Sequence, residues 1–427
     1  MEKIRDQILN TKKYLMYAVC MQPIFFIVDL GSIPFYFFAA WMMVVLLADA
    51  KNMIREYFDK HLWFSVFIGA MLISCVLNRD VITGDSLFKV FQCFYIYYIL
   101  FVGCRDREEN KIVVFNIIKF ATIMFFVYSI INAIDFGFGF NWFAQDLEYS
   151  RLSGIYGNPN NMVICASWGV FGGLLFKNKG FQIFNALLQL SMLYISDCRS
   201  MLLGMVLVCV GLLLSFVYNH SSKKVFVFSL AASFLATLGA ACFIIFRRFR
   251  DWNGFKELIV NGSERILNII TANRYYIWKQ SFEILKHYPL FGIAPSTRMA
   301  RAKQVLSQEM LDLVRPYELN HQLFMDVAMA GGLVGLTAFV IWLLKQVSIL
   351  WKNRVQFNDK ESLIVLCLVC LVFVNSMLDV SIIFDSRVFT MFFWLGLGYL
   401  VNNDYNVQKC SNHEPIWSNK IYRHKLC

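Results

Sequence analysis

Long runs of apolar residues constrain this chain more than any other feature. Hydrophobic residues make up 58% of its 427 residues and occur in runs of about 16 to 23, separated by short charged segments. A helix needs about 20 apolar residues to cross the ~30 Å hydrocarbon core of a bilayer, so each run predicts a membrane span. Twelve spans are predicted, at 14–29, 33–50, 62–77, 87–104, 112–134, 160–176, 181–195, 201–218, 225–246, 322–344, 362–378 and 384–401. The sequence predicts an all-α polytopic membrane protein, with residues 1–427 forming a single integral-membrane domain.

The positive charges predict how these spans are oriented, because short loops rich in Lys and Arg remain in the cytoplasm. With the N-terminus inside, the inner segments contain 22 Lys and Arg residues, whereas the short outer loops contain only Arg79, Arg151, Arg199 and Arg387. Both termini are therefore expected in the cytoplasm. The net charge of +11 follows mostly from this topology and does not indicate a nucleic-acid partner.

The same topology places residues 247–321 outside the membrane as one long insertion. Its 75 residues include twelve of the chain's forty Lys and Arg residues. Apolar and aromatic residues at helical spacing predict an amphipathic helix that begins near Arg274 and is broken near Pro289 and Gly292. A second helical stretch is predicted from Arg298 to Val314. Both are expected to lie on the bilayer surface or to cover a cavity between spans.

The short outer loops contain arginine as their only cation, which suits a phosphate ligand. A guanidinium group binds phosphate oxygens with two parallel hydrogen bonds, whereas an ammonium group acts as a point charge. Arg151 precedes a turn rich in Gly, Asn and Pro, whose backbone donors can face an anion at the start of the next helix. Isolated arginines can also extend to lipid headgroups, and membrane lipid is the expected surrounding in either case.

His321 is the candidate base on the outer face. It lies where the long insertion re-enters the membrane. A histidine at this place can be neutral near pH 7 and accept a proton from a sugar hydroxyl. The alternative is an ordinary loop histidine without a chemical role.

Acidic residues are few on the outer face. Asp379 ends the eleventh span, close to Asp385 and Arg387, and charges at such a depth either pair with each other or face a polar cavity. The nearest approach to an Asp-x-Asp metal pattern is Asp146-Leu147-Glu148, and the outer segments contain no clear example. Neither a metal nor another cofactor is predicted.

Together these segments resemble the O-antigen ligase and O-antigen polymerase superfamily of bacterial envelope glycosyltransferases, and most closely the ligases. The ligase pattern is His, then Asn, Ser or Gln, nine residues, Gly, two residues, and then Gly, Thr or Tyr. It is present here as His321-Gln322, nine residues, Gly332, two residues and Gly335, with Gln322 in place of the more usual Asn.

Three further segments extend the resemblance across residues 151–387. Arg199 is followed by Leu203, as in a second ligase pattern of Arg, three residues and Leu. The segment that begins at Arg274 is similar to a ligase segment with a functionally important arginine. Asp379 lies where ligases tend to have an acid.

The resemblance implies an inner-membrane enzyme that moves a glycan from an undecaprenyl diphosphate carrier onto lipid A-core oligosaccharide at the periplasmic face, without a metal and with inversion. His321 would activate the acceptor hydroxyl, and Arg199 and Arg274 would neutralise the departing diphosphate. The expected donor-binding residues are Arg151, Arg298, Arg387 and Asp379.

Two alternatives remain open from the sequence. An O-antigen polymerase uses the same donor but adds the glycan to another carrier-linked repeat. Twelve spans with both termini inside are also typical of a secondary transporter or flippase. The charges gather at the outer edge, however, and the long insertion between the ninth and tenth spans interrupts any six-plus-six symmetry.

Overall fold

The computed structural model describes residues 2–21, 37, 40–50, 61–104, 107–140, 154–156, 159–196, 199–220, 229, 271, 274–313, 320–352, 359–377, 382–384 and 388–401. Every regular element in these ranges is a helix, which confirms the all-α prediction for them. Helices lie within eleven of the twelve predicted spans. The remaining one, 225–246, is described only at residue 229.

The helices follow one another in the order α1 (Glu2–Asn10), α2 (Lys12–Met21), α3 (Ala40–Ala50), α4 (Leu62–Leu77), α5 (Gly84–Ile96), α6 (Arg107–Phe138), α7 (Pro159–Gly173), α8 (Lys179–Ile195), α9 (Arg199–His220), α10 (Arg274–His287), α11 (Arg298–Val305), α12 (Gln308–Leu313), α13 (Leu323–Lys352), α14 (Lys360–Ser376) and α15 (Val388–Val401). After α5 the chain continues through a π-helical turn, Tyr97–Phe101, and a short 3-10 turn, Val102–Cys104.

Two helices in the described ranges, Asn110–Phe138 within α6 and Leu323–Lys352, are long and apolar enough to cross a membrane. Four shorter helices are also apolar: Ala40–Ala50, Leu62–Leu77, Met201–Leu213 and Phe389–Val401. These helices agree with an integral membrane protein. The number of spans and their orientation stay predictions from the sequence.

Aromatic side chains form the centre of the bundle. Phe64 stacks on Tyr97 with ring centroids 3.7 Å apart, and both side chains are fully buried. The indole Nε1–H of Trp342 donates to the Tyr97 hydroxyl at 3.2 Å, and that of Trp394 donates to the Ile382 carbonyl at 2.9 Å. The polar edges of these rings are therefore satisfied inside the apolar core, as buried Tyr and Trp require.

Helix α13 packs along α4 more extensively than any other described pair of helices. Gly335 faces α4, because a Cβ placed on it would lie 3.5 Å from the Phe67 ring and 3.6 Å from the Ala70 methyl. Small side chains let two helix backbones approach closely, which is how helices associate in membranes. The second glycine of the His321 pattern therefore lies at a helix contact.

The first glycine of that pattern interrupts α13. Gly332 has φ 64° and ψ −162°, a conformation that only glycine adopts without strain. A Cβ there would lie 2.2 Å from the Leu290 carbonyl oxygen. The interruption leaves backbone groups that a continuous helix would have paired.

Residues 289–293, called here the 289–293 loop, pair with the backbone groups at this interruption. The Leu333 and Val334 N–H groups donate to the Pro289 and Leu290 carbonyls at 2.8 and 3.1 Å. The Met329 carbonyl, the helical partner that Leu333 has lost, accepts from Ile293 N–H at 2.7 Å. An interrupted helix inside a membrane protein needs such replacement partners. The long insertion is thereby anchored to α13, eleven residues after His321.

Candidate active site around His321

The described residues of the insertion, 271, 274–313 and 320–321, include helices in both of the predicted helical stretches. The predicted helix from Arg274 is α10, which ends at His287, two residues before Pro289. The side chains of α10 that are buried are Ile277, Gln280, Ser281 and Ile284, whereas Phe282 is 59% exposed. The Ser281 hydroxyl donates to Asn320, directly before His321, and the Gln280 amide donates to the Met310 carbonyl.

The predicted helix over 298–314 is two helices, α11 and α12, separated at Leu306 and Ser307. Leu306 has an extended backbone that ends α11, and its side chain joins a small apolar cluster with Met325 and Met329 of α13. The two short helices therefore pack against the N-terminal part of α13.

His321 lies in a turn directly before α13. Its φ of 52° is in the left-handed region, where a non-glycine residue needs support from its surroundings. Its side chain is partly exposed. Gln322 then caps the helix, because its Oε1 accepts from the Met325 N–H at 2.6 Å. A side-chain oxygen bonded to the third N–H of a helix is the usual N-cap arrangement. The amide or hydroxyl that the ligase pattern places after histidine thus has a capping role in this chain.

Asn320 holds the peptide groups that precede His321. Its backbone N–H and its Nδ2 both donate to Asp326 Oδ1, at 2.8 and 2.7 Å. Its carbonyl, which belongs to the peptide that joins it to His321, accepts from Trp278 Nε1 at 3.0 Å. Its Oδ1 accepts from the Ser281 hydroxyl. Helix α10 and the first turn of α13 together fix this residue.

Arg298 completes the same set of hydrogen bonds. It is 2% exposed, and its Nε donates to Ser281 Oγ at 3.0 Å. Its Nη2 donates to the Ile277 carbonyl at 3.0 Å and to Gln280 Oε1 at 3.3 Å. We call Trp278, Ser281, Arg298, Asn320 and Asp326 the His321 network.

A small cavity adjoins the His321 network. Its lining includes Arg298, Asn320, Asp326 and Lys89 of α5. The Lys89 ammonium group donates to the Phe384 carbonyl at 2.7 Å, on the segment that leads to Arg387. The cavity measures about 40 Å³, far below the ~300–1,000 Å³ of a ligand pocket. It has room for one polar group of a substrate or for a few waters.

A second arginine ties the insertion to the loop after α4. Arg301 is 6% exposed, and its two Nη groups bind the Asp80 carboxylate at 2.8 and 2.7 Å. Its guanidinium also donates to Asn78 Oδ1 and lies 4.9 Å from the centre of the Tyr288 ring. The Arg301 hydrogen bond holds the pKa of Asp80 below its usual value. We call Asn78, Asp80, Tyr288 and Arg301 the Arg301 clasp.

The structure brings some of the predicted site residues together and leaves others outside its described residues. His321 and Arg298 lie at one site, and Arg274 begins the helix whose Trp278, one turn later, contacts Asn320. Arg199 begins α9, but its side chain is outside the described part. Arg151, Asp379 and Arg387 lie entirely outside the described residues.

Sequence reasoning missed three charged residues of this region. Asp326 and Lys89 are lone charges inside predicted spans, and such charges usually face a polar cavity or a partner. That signal was available in the sequence. Arg301 was counted only as part of a general cationic excess, and its pairing with Asp80 joins residues 221 apart, which no local pattern indicates. Among the described residues, no three His, Cys, Asp or Glu side chains group as metal ligands would.

A comparison with known families matches residues 184–340 to the O-antigen ligase model. The chain contains an O-antigen ligase family domain. This domain occurs in both O-antigen ligases and polymerases, which are membrane enzymes that transfer glycans. None of the curated proteins matches the chain.

The O-antigen ligase domain extends from within α8 to within α13. It therefore contains Arg199, Arg274, Arg298 and His321, together with the 289–293 loop and the interruption at Gly332. The predicted family resemblance is confirmed over these residues. Arg151, Asp379 and Arg387 lie outside the matched range.

Proposed function

We propose that the protein is an O-antigen ligase that transfers a glycan from undecaprenyl diphosphate to lipid A-core oligosaccharide. The reaction takes place at the periplasmic face of the bacterial inner membrane, and both termini are cytoplasmic. The observation that carries this proposal is the His321 pattern inside the matched domain. In this pattern the partly exposed His321 precedes α13, an apolar helix of spanning length. A buried hydrogen-bond network supports the turn that contains His321.

His321 acts as the general base for the acceptor. Its neutral imidazole accepts the proton of an acceptor hydroxyl, and the hydroxyl oxygen forms a bond to the anomeric carbon of the donor glycan. The bond from that carbon to the diphosphate oxygen breaks, and its electron pair leaves with the carrier diphosphate. Attack opposite the leaving group inverts the anomeric configuration.

Arginines stabilise the charge that gathers on the leaving diphosphate. Arg199 and Arg274 are the residues proposed for this role, and Arg151, Arg298, Arg387 and Asp379 are proposed around the bound donor. Stabilising the leaving group is the largest electrostatic requirement of the reaction. A diphosphate is already a good leaving group, so the proposed mechanism needs no metal.

Deleting the gene separates the ligase from the polymerase. Loss of a ligase leaves the core bare and accumulates carrier-linked polymer, whereas loss of a polymerase still places single repeats on the core. We expect the bare core. Lipopolysaccharide gels that show core with one repeat would contradict the ligase assignment and support the polymerase.

Complementation of the deletion strain then tests the site. The His321→Ala protein, detected in the membrane at the wild-type level, is expected to leave the core bare. Gln322→Asn is the matched control, because asparagine is a strong helix cap and is the more usual residue of the ligase pattern. It is expected to restore the full ladder of lipopolysaccharide bands on the gel. The same ladder from His321→Ala would show that His321 is not the base.

A further inference from the structure

Asp326 is a buried carboxylate in the first turn of an otherwise apolar helix. Its side chain belongs to a residue that is 4% exposed. Oδ1 accepts two hydrogen bonds from Asn320. Oδ2 is buried without a hydrogen-bond partner among the described residues. Burying a carboxylate costs several kcal/mol unless its surroundings compensate for it, so a purely structural role would be served better by a neutral cap.

Asp326 acts on the residue directly before His321. The Asn320 N–H and carbonyl belong to two successive peptide groups, and Asp326 binds the first while Trp278 binds the second. Fixing both peptide planes fixes where the chain enters His321. This support matters because the left-handed φ of 52° at His321 is strained for a non-glycine residue unless its surroundings hold it.

Asp326 lines a small cavity that cationic side chains also line. Lys89 and Arg298 line the same small cavity, and Arg298 also reaches Asn320 through Ser281. Asp326, Arg298 and Asn320 are therefore members of one buried polar cluster directly before His321.

We propose that Asp326 is a positioning residue, which sets the His321 turn in its catalytic geometry by binding both the N–H and the side chain of Asn320. The inference rests on the proposed function, because it assigns Asp326 a role that is expressed only through His321. Misplacing a catalytic group by about 1 Å can lower a rate about a hundredfold. The loss should therefore fall on kcat, with little change in KM.

Four variants of the full-length protein in detergent test this proposal: Asp326→Ala, Asp326→Asn, His321→Ala and the Asp326→Ala/His321→Ala double variant. Asp326→Ala is expected to lower kcat of glycan transfer about 10- to 100-fold, with KM changed less than about twofold. Asp326→Asn keeps an acceptor oxygen for Asn320 and is expected to recover most of that loss. In the double variant, removing Asp326 is expected to cost nothing beyond the loss from His321→Ala.

Two results would overturn the inference while leaving the proposed function intact. One is an Asp326→Ala protein with full kcat beside an inactive His321→Ala protein. The other is a further loss in the double variant as large as the loss in wild type, which would mean that Asp326 acts independently of His321. Full activity of His321→Ala would instead contradict the proposed function itself.

Trp278→Phe keeps the test usable if Asp326→Ala does not fold. It removes the indole N–H that binds the Asn320 carbonyl and keeps an aromatic ring against the neighbouring apolar cluster. The same lowered kcat, and the same absence of further loss in a His321→Ala background, are expected. An additive loss would overturn the positioning role.

Discussion

Two arginines on α11, three residues apart and both buried, have different surroundings. Arg301 binds the Asp80 carboxylate with both ends of its guanidinium, and the Arg301 clasp joins the insertion to the loop after α4. Arg298 donates to uncharged groups of α10 and lines the cavity beside Asp326. Burial of an arginine alone does not indicate a function. The clasp joins two parts of the fold, whereas the His321 network supports the turn of the proposed general base.

The largest effect on stability and activity is expected at Gly332. There the 289–293 loop pairs with α13 and supports both the Arg301 clasp and the His321 network. A Cβ on Gly332 would lie 2.2 Å from the Leu290 carbonyl oxygen, so Gly332→Ala should displace the 289–293 loop. Positive-φ strain and overpacking together predict a loss of about 3 kcal/mol in the free energy of unfolding. Thermal unfolding in detergent and transfer activity should both fall.

Gly335→Ala is the matched control for that experiment. Its Cβ would meet Phe67 and Ala70 at 3.5 and 3.6 Å, which is ordinary contact, and its backbone is helical. It should change stability far less than Gly332→Ala. Equal losses from the two variants would show that the glycines serve only the packing of α13 on α4.

An intermediate effect is expected from the Arg301 clasp, and it should depend on pH. The Arg301 hydrogen bond lowers the pKa of Asp80 in the folded protein. A lowered carboxyl pKa stabilises the fold above the ordinary Asp pKa of about 4, and this contribution disappears as the pH falls through the lower folded value. Asp80 is more than half exposed, so solvent screening keeps the contribution modest.

Asp80→Asn separates the clasp from the network. The variant should unfold at a lower temperature than wild type at pH 7, and the difference should disappear as the pH falls through the lowered pKa of folded Asp80. Its transfer rate per folded molecule should match wild type at 25 °C. A large loss of kcat in a folded Asp80→Asn protein would mean that the clasp and the His321 network are not separate in function.

The smallest effect is expected at the cap of α13. Gln322→Ala removes the acceptor for the Met325 N–H, and the loss of a helix cap costs about 1 kcal/mol. Gln322→Asn should retain that stability. Circular dichroism melts of the two variants compare them directly, and a Gln322→Ala melt identical to wild type would show that the cap contributes nothing measurable.

Local periodicity predicted the helices of the described part well. The apolar runs gave α4, α6 and α13, and the breaker residues gave the end of α10 near Pro289. Periodicity did not indicate that α10 buries Gln280 and Ser281, because their hydrogen bonds to Met310 and Asn320 depend on segments that are distant in the sequence.

The candidate site was predicted only in part for a similar reason. His321 stands out because it lies in a recognisable pattern, and the role of Gly332 in that pattern became apparent only from the 289–293 loop that pairs with the interrupted helix. Asp326 could have been noticed as a lone acid in a predicted span. Its contact with Asn320 depends on how the turn folds back, and the Arg301 and Asp80 pair depends on contacts between distant segments.

We propose that His321 accepts the proton of the acceptor hydroxyl. The most direct measurement is the rate of glycan transfer by purified His321→Ala protein, with undecaprenyl diphosphate-linked glycan and lipid A-core oligosaccharide as substrates, beside Gln322→Asn as the folded control. General-base catalysis predicts that kcat falls about 10²- to 10⁴-fold while the melting temperature stays near that of wild type. A folded His321→Ala protein that transfers glycan at the wild-type rate would contradict the role of His321 as the general base.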